Sequence, residues 1–324
     1  MKLIFLGTPQ FAVPSLRALH KAGHSIALVI SQPDRALDKK RLLLPTPIKE
    51  CANTLNLSFL SMDNVNVHID ELKEFKPDAF ITVAFGQMLG DEFLSIAPTL
   101  NVHGSLLPLY RGASPIQASI INGDKETGIT IMQTVKKMDV GDILSQAKIR
   151  IESADTYGML HDKLSIIGAN LLVDTLKLMQ EGKITPQSQD ETKATYTKKI
   201  TKQCGKIDWS KSATEIECQI RAYNPWPSAH TTYNKTGDII KIHSAIACLD
   251  IENANNSLSM SDITSNNMAP VGTILHSTDK LGIYVKCGMG VLQITKLQAP
   301  SKKINLASEF LLGYKLENIK GKFE

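Results

Sequence analysis

The first half of the chain alternates short runs rich in strand-forming residues with runs of helical period, and that alternation restricts the fold more than any other feature. Strand, helix and strand in succession imply parallel strands joined by crossovers, and so a sheet with helices on its faces. Strand character falls at residues 2–6, 25–30, 78–84, 100–103 and 129–133. Residues 11–21 read as a helix with Leu16 and Leu19 on its apolar face and Gly23 past its end. Residues 114–121 read likewise, with Pro115 in the first turn and Gly123 beyond the last. A longer helix spans residues 155–181, where Leu160, Leu164, Ile167, Leu171 and Leu178 share a face before Gly182.

At 324 residues the chain is longer than one hydrophobic core usually serves. It turns polar after residue 185, and Lys193, Lys198, Lys199, Lys202 and Lys206 give that stretch the character of a connector. A short helix is expected at 213–222, followed by alternating runs at 231–233, 239–247, 271–275, 282–286 and 291–297 with turn residues between them. Such spacing predicts a small β-barrel. Residues 252–269, rich in Asn and Ser, read as a surface insertion. The expected architecture is therefore α/β: a Rossmann-like, mostly parallel sheet with flanking helices in residues 1–188, a lysine-rich linker at 189–206, and a small C-terminal β-barrel at 207–324.

Composition excludes several classes. With 43% hydrophobic and 21% charged residues the chain is an ordinary globular one, and no run approaches the ~20 apolar residues of a membrane helix. The apolar run from Leu3 to Leu6 is cut by Gly7, Thr8 and Pro9 before a signal-peptide core can form. Cysteines at 51, 204, 218, 248 and 287 make no C-x-x-C pair and no Cys/His cluster, which argues against a disulfide framework or a metal site and fits a reducing cytoplasm. The net charge of +4 permits a polyanionic partner without requiring one. No apolar helix face or coiled-coil pattern stands out, so a monomer is expected.

The glycine fingerprint of a dinucleotide site is missing after the first strand, where the turn reads Gly7-Thr8-Pro9-Gln10-Phe11. A site at the carboxyl ends of the strands is still expected, and this directs attention to Asn101-Val102-His103-Gly104-Ser105-Leu106-Leu107-Pro108. Residues two apart on a strand share a face, so Asn101 and His103 project together while Val102 turns to the core. A second segment, Met138-Asp139-Val140-Gly141-Asp142, follows the fifth strand and is able to bring a carboxylate to His103. A histidine near a strand end is more often a satisfied structural side chain, and D-x-G-D is more often a turn. Spacing alone leaves both readings standing.

With Tyr110-Arg111-Gly112-Ala113-x-Pro115-Ile116-Gln117 between them, these segments resemble the 10-formyltetrahydrofolate-dependent formyltransferases. Phe5-x-Gly7-Thr8-Pro9-x-Phe11-Ala12, Gln32-Pro33-Asp34-Arg35, Ile207-Asp208-Trp209 and Asn224-Pro225-Trp226-Pro227 are similar to the branch acting on methionyl-tRNA, and the likeness spans nearly the whole chain. The resemblance implies Asn101, His103 and Asp139 at the catalytic positions. It implies a folate co-substrate, 10-formyltetrahydrofolate, cradled by Ala84, Phe85, Gly86, Gln87 and Met88 and by Ser105, Leu106, Leu107 and Pro108, with no metal. The residue types suit that chemistry: Asn101 donates to the oxyanion that builds on the formyl oxygen, His103 relays a proton, and Asp139 fixes the imidazole tautomer or orders a water.

The same resemblance implies initiator methionyl-tRNA as the acceptor, met by Arg35, Lys39, Lys40 and Arg41 in the insertion after the second strand and by Lys198, Lys199, Lys202 and Lys206. In that insertion the family's usual glycines and arginine are replaced, with Asp38 and Lys39 standing there. Lysine supplies charge without the bidentate fork of arginine. Residues 205–324 hold 13 Lys/Arg against 11 Asp/Glu, so RNA binding by the barrel has to come from a local patch. Two rival functions share the scaffold: formyl transfer to a sugar nucleotide or other small amine, and RNA binding without catalysis.

Overall fold

The computed structural model describes residues 1–36, 43–248, 269–278, 282–318 and 320–324. The expected insertion at 252–269 falls almost wholly outside the described residues, as do Lys39, Lys40 and Arg41. The chain divides into two compact units, the first made of Met1–Ile116, Glu126–Arg150 and Met159–Lys198, the second of Gln117–Lys125, Ile151–Gly158 and Lys199–Glu324.

The first unit is built on seven strands: β1 (Lys2–Gly7), β2 (Ser25–Ser31), β3 (Phe59–Ser61), β4 (Ala79–Val83), β5 (Thr99–His103), β6 (Glu126–Gln133) and β7 (Ile143–Arg150). Their order across the sheet is β7-β6-β5-β4-β1-β2-β3. Strands β1 to β5 run parallel, while β6 runs antiparallel to both β5 and β7. The sequence marked β1, β2, β4, β5 and β6 but missed both edges. On one face Ile4, Leu6, Leu28, Ile30 and Phe80 are buried with Phe93, whose ring centroid lies 4.5 Å from that of Phe80. Helix Pro47–Thr54 starts where Thr46 accepts from the Lys49 amide and Pro47 takes the first helical position, which has no donor to lose. The long helix observed is Tyr157–Gln180, two residues shorter at its start and one at its end than expected.

The second unit is antiparallel throughout its sheet. Strands β8 (Ala229–Thr232), β9 (Ile239–Cys248), β10 (Ile274–Thr278), β11 (Gly282–Lys286) and β12 (Val291–Gln298) lie in the order β8-β9-β12-β11-β10, and β13 (Asn305–Leu306) pairs with β12. The two edge strands are joined by the final residues. Thr232 and Glu324 exchange two backbone bonds at 2.9 Å, while Phe323 donates to Gly272 at 2.9 Å and Gly321 accepts from Ile274 at 3.0 Å. These bonds turn the sheet into a closed barrel. Helix Ala213–Ala222 packs its buried Ile216 and Ile220 on this core, and Ser212 and Glu215 form a reciprocal capping box at its start. Trp209 stacks on Phe323 and donates to Thr231 Oγ1 at 2.9 Å. Among the described residues no helix is long and apolar enough to cross a membrane.

Candidate active site

The site grows from the carboxyl end of β5. Asn101 and His103 leave the same face of that strand, and Val102 between them is buried. His103 is 5% exposed, with Nε2 3.0 Å from the Tyr110 carbonyl oxygen. A carbonyl only accepts, so Nε2 carries a proton and donates it, which leaves the Nδ1 lone pair free in the neutral ring. That nitrogen faces Asp139 Oδ2 at 3.7 Å. The separation exceeds a hydrogen bond. The tautomer is therefore set by the Tyr110 carbonyl; of the two roles expected for Asp139, fixing the tautomer or ordering a water, the 3.7 Å separation does not supply the first. A proton taken up at Nδ1 lies directly against the Asp139 carboxylate.

Asn101 is aligned by a residue that sequence reasoning passed over. Thr82 on β4 is its register partner, and the Thr82 hydroxyl points to Asn101 Oδ1 at 3.0 Å and to the Leu100 carbonyl at 3.1 Å. With Oδ1 turned towards that donor, the Nδ2 amino group is the end of the amide that faces elsewhere. The only trace of this in the sequence was a polar residue inside an otherwise apolar strand.

Asp139 lies between β6 and β7 at φ +55°, a region that non-glycine residues seldom occupy. Its Oδ2 accepts from the Gly112 amide at 2.8 Å. Behind it, Gln189 Nε2 donates to the carbonyls of Asp139 at 2.9 Å and Gly141 at 2.8 Å. Gly141 passes so close to β6 that a Cβ would sit 1.8 Å from the Gln133 carbonyl oxygen, an approach open to glycine alone. Asp142, the second acid of the segment, accepts from Ser188 Oγ at 3.1 Å.

Gln189 Oε1 in turn accepts from Arg111 Nε at 3.0 Å and Nη2 at 2.9 Å. Arg111 is fully buried, and its guanidinium holds both oxygens of Glu191, at 3.0 and 2.7 Å, as well as the Tyr196 hydroxyl at 3.0 Å. This pairing keeps the Glu191 carboxyl below the usual carboxylate range and raises the guanidinium pKa further. The stretch Arg111–Gly112 also forms a two-residue parallel ladder with Tyr196–Thr197.

The two segments expected to cradle folate are held from within. Gln32 Nε2 and Thr8 Oγ1 donate to the Phe85 carbonyl at 2.9 and 3.3 Å. Gln87 spends its amide on the Met62 carbonyl at 2.7 Å and the Val65 amide at 2.8 Å. Phe85 is buried, whereas Ala84, Gly86 and Met88 are exposed. In the second segment Thr130 Oγ1 donates to the Ser105 carbonyl and accepts from the Leu107 amide, while Gln146 Nε2 donates to the Leu107 carbonyl. Ser105 and Leu107 are buried; Leu106 and Pro108 are half-buried. The surface these segments offer is thus mainly backbone with Ala84, Met88, Leu106 and Pro108.

Of the basic residues singled out, Arg35 opens a two-residue strand pair, Arg35–Ala36 with Leu43–Leu44. Next to it Asp34 accepts from the Thr46 amide at 3.1 Å and pairs with Lys49 at 2.5 Å, and the lysine holds that carboxyl below its ordinary range. Lys198, Lys199, Lys202 and Lys206 are exposed, and no carboxylate partner is seen for them among the described residues. Among the described residues no three His, Cys, Asp or Glu side chains gather as a metal site would need.

A mostly parallel sheet that gathers an amide, an imidazole and a carboxylate at one carboxyl end, followed by an antiparallel barrel, defines the class: a two-domain formyl transferase. The formyl transferase family model matches residues 1–176, and that of the formyl transferase C-terminal domain matches residues 199–315. The methionyl-tRNA formyltransferase of Enterococcus faecalis is 41% identical over 318 residues, 96% of each chain. That of Bacillus subtilis is 39% identical over 321 residues, covering 98% of this chain and 96% of its own. The chain belongs to the methionyl-tRNA formyltransferase family. Among solved structures, HypX from Aquifex aeolicus in complex with tetrahydrofolic acid superimposes with a TM-score of 0.62 at 16% identity, over 99% of this chain and 49% of that one, a likeness of fold.

Proposed function

We propose that the chain moves the formyl group of 10-formyltetrahydrofolate to the α-amino group of methionyl initiator tRNA, as a cytoplasmic monomer, giving N-formylmethionyl-tRNA. The observation that carries this reading is the trio at the end of β5: Asn101 and His103 on one face, with Asp139 Oδ2 3.7 Å from His103 Nδ1. An aminoacyl α-amine, near the reference pKa of ~7.7–8.0, is partly neutral at physiological pH and able to attack. Its nitrogen bonds to the formyl carbon, and negative charge builds on the formyl oxygen, where Asn101 Nδ2 donates. His103 Nδ1 removes the proton from the attacking nitrogen. The resulting imidazolium is stabilised by Asp139 and then passes that proton to N10 of the folate as the carbon–N10 bond breaks. The folate lies against residues 84–88 and 105–108. The first unit carries this chemistry, and the tRNA is met by the insertion after β2 and by Lys198, Lys199, Lys202 and Lys206.

The test is formyl transfer to charged initiator tRNA, compared with elongator methionyl-tRNA and a small amine. Asn101→Ala should lower kcat by about 10²–10³, the usual cost of one oxyanion donor. His103→Ala should fall by a similar order, about 10²–10⁴. Folate binding, followed by fluorescence, should be kept in both. Near-normal turnover in both variants sinks the catalytic assignment, and absence of transfer to either tRNA sinks the acceptor.

A further inference from the structure

We propose that Gln189 is a positioning residue for formyl transfer, holding the Asp139 backbone in place opposite His103 and taking its own orientation from the buried guanidinium of Arg111. The proposal rests on the assignment of Asp139 to the reaction. Three observations carry it. Asp139 adopts φ +55°, so its segment needs an external hold to stay there. Gln189 supplies two of its anchors from one side chain, donating from Nε2 to the carbonyls on both sides of Val140 at 2.9 and 2.8 Å, beside the Gly112 amide on Asp139 Oδ2 and the Gln133 amide on the Asp142 carbonyl.

The amide has one workable orientation. Its Oε1 accepts two guanidinium bonds, at 3.0 and 2.9 Å, so a flipped amide would set an amino group against Arg111 and an oxygen against two carbonyls. Arg111 in turn cannot shift, being fully buried and forked onto Glu191 at 3.0 and 2.7 Å. Glu191 takes only Nη1 and Nη2 of the guanidinium, so Gln189 Oε1 serves the buried Nε on one side while its amino group serves the Asp139 segment on the other. A carboxylate at position 189 would satisfy the guanidinium better, yet would aim its second oxygen at the Asp139 and Gly141 carbonyls. Only a neutral amide of this length serves both sides, and it comes from a polar tract whose composition reads as a connector.

The discriminating variant is Gln189→Glu, which keeps the Arg111 contact and breaks the hold on Asp139. Gln189→Met, which removes both, serves as the second variant. In the transfer assay, kcat should fall by about 10- to 100-fold in each, as expected for a misplaced reacting group. The KM for 10-formyltetrahydrofolate should stay unchanged, and the thermal midpoint of Gln189→Glu should remain near that of the parent. Combined with Asp139→Asn, Gln189→Glu should add no further loss, since its effect passes through the carboxylate. Parent-level kcat in both Gln189 variants, or a penalty that adds in full to that of Asp139→Asn, overturns the positioning role. Parent-level turnover in Asp139→Asn itself is a different failure: it removes Asp139 from the reaction, and this proposal falls with it.

Discussion

Thr82→Val isolates what the orientation of one amide is worth to catalysis. Valine has nearly the shape of threonine and suits a buried strand, so β4 should keep its register while the hydroxyl that meets Asn101 Oδ1 at 3.0 Å is lost. A neutral hydrogen bond contributes about 0.5–1.5 kcal/mol net. If that bond supplies the bias of the amide towards the orientation in which Nδ2 donates to the oxyanion, its removal lowers the ratio of productive to flipped amide by roughly 2- to 12-fold, taking RT as about 0.6 kcal/mol, and the productive fraction falls from about 0.7–0.9 to about 0.5. Removing the donor outright costs about 2.7–4 kcal/mol. Thr82→Val should therefore lower kcat by roughly 1.4- to 2-fold, Asn101→Ala by far more, and the double variant no more than Asn101→Ala alone. The assay is single-turnover formyl transfer at saturating folate, with the thermal midpoint as a control for folding. An unchanged rate in Thr82→Val, or a double variant slower than Asn101→Ala, refutes the reasoning.

Two further outcomes are expected. Burial, with its bond to Asp238, pushes the Tyr314 phenol up to about 12. Its folded pKa exceeds the ~10 of an unfolded tyrosine, so its stabilisation is complete below pH ~10 and is lost between about 10 and 12. Tyr314→Phe should flatten the fall of the melting temperature across that window relative to the parent, and parallel curves would exclude the effect. Replacing Lys198, Lys199, Lys202 and Lys206 together with Gln should make the slope of log affinity for tRNA against log salt shallower by roughly 3, if all four meet phosphates. An unchanged slope removes them from the interface.

What was legible in the sequence is what depends on near neighbours. Helix Ala213–Ala222 stands at the bounds expected from the sequence, and its capping box, Ser212 with Glu215, is local to four residues; the Asn101–His103 pair follows from the period of two of a strand. Strand β7 was missed because it is an edge strand: from Ile143 to Arg150 its side chains are half-buried or exposed, so no apolar run marks it. The reversal of β6 was equally hidden, since a strand pattern carries no direction. At the site the reacting groups stood in recognisable segments, but the groups that orient them did not. Thr82 meets Asn101 from a neighbouring strand, and Gln189 meets Arg111 across 78 positions of sequence, a pairing that exists only once the chain has folded.

Closure of the barrel by residues 321–324 sets an order of events during synthesis. The tail bonds to Thr232 and Asn234, 92 and 88 positions earlier, so those strands have to wait for it. At about 5–20 residues per second that wait is several seconds, during which β8 and β10 present open sheet edges able to pair with other chains. The parallel core of the first unit can assemble long before. Slowed elongation or removal of residues 321–324 should therefore appear first as aggregation of the nascent second unit, with the first already folded.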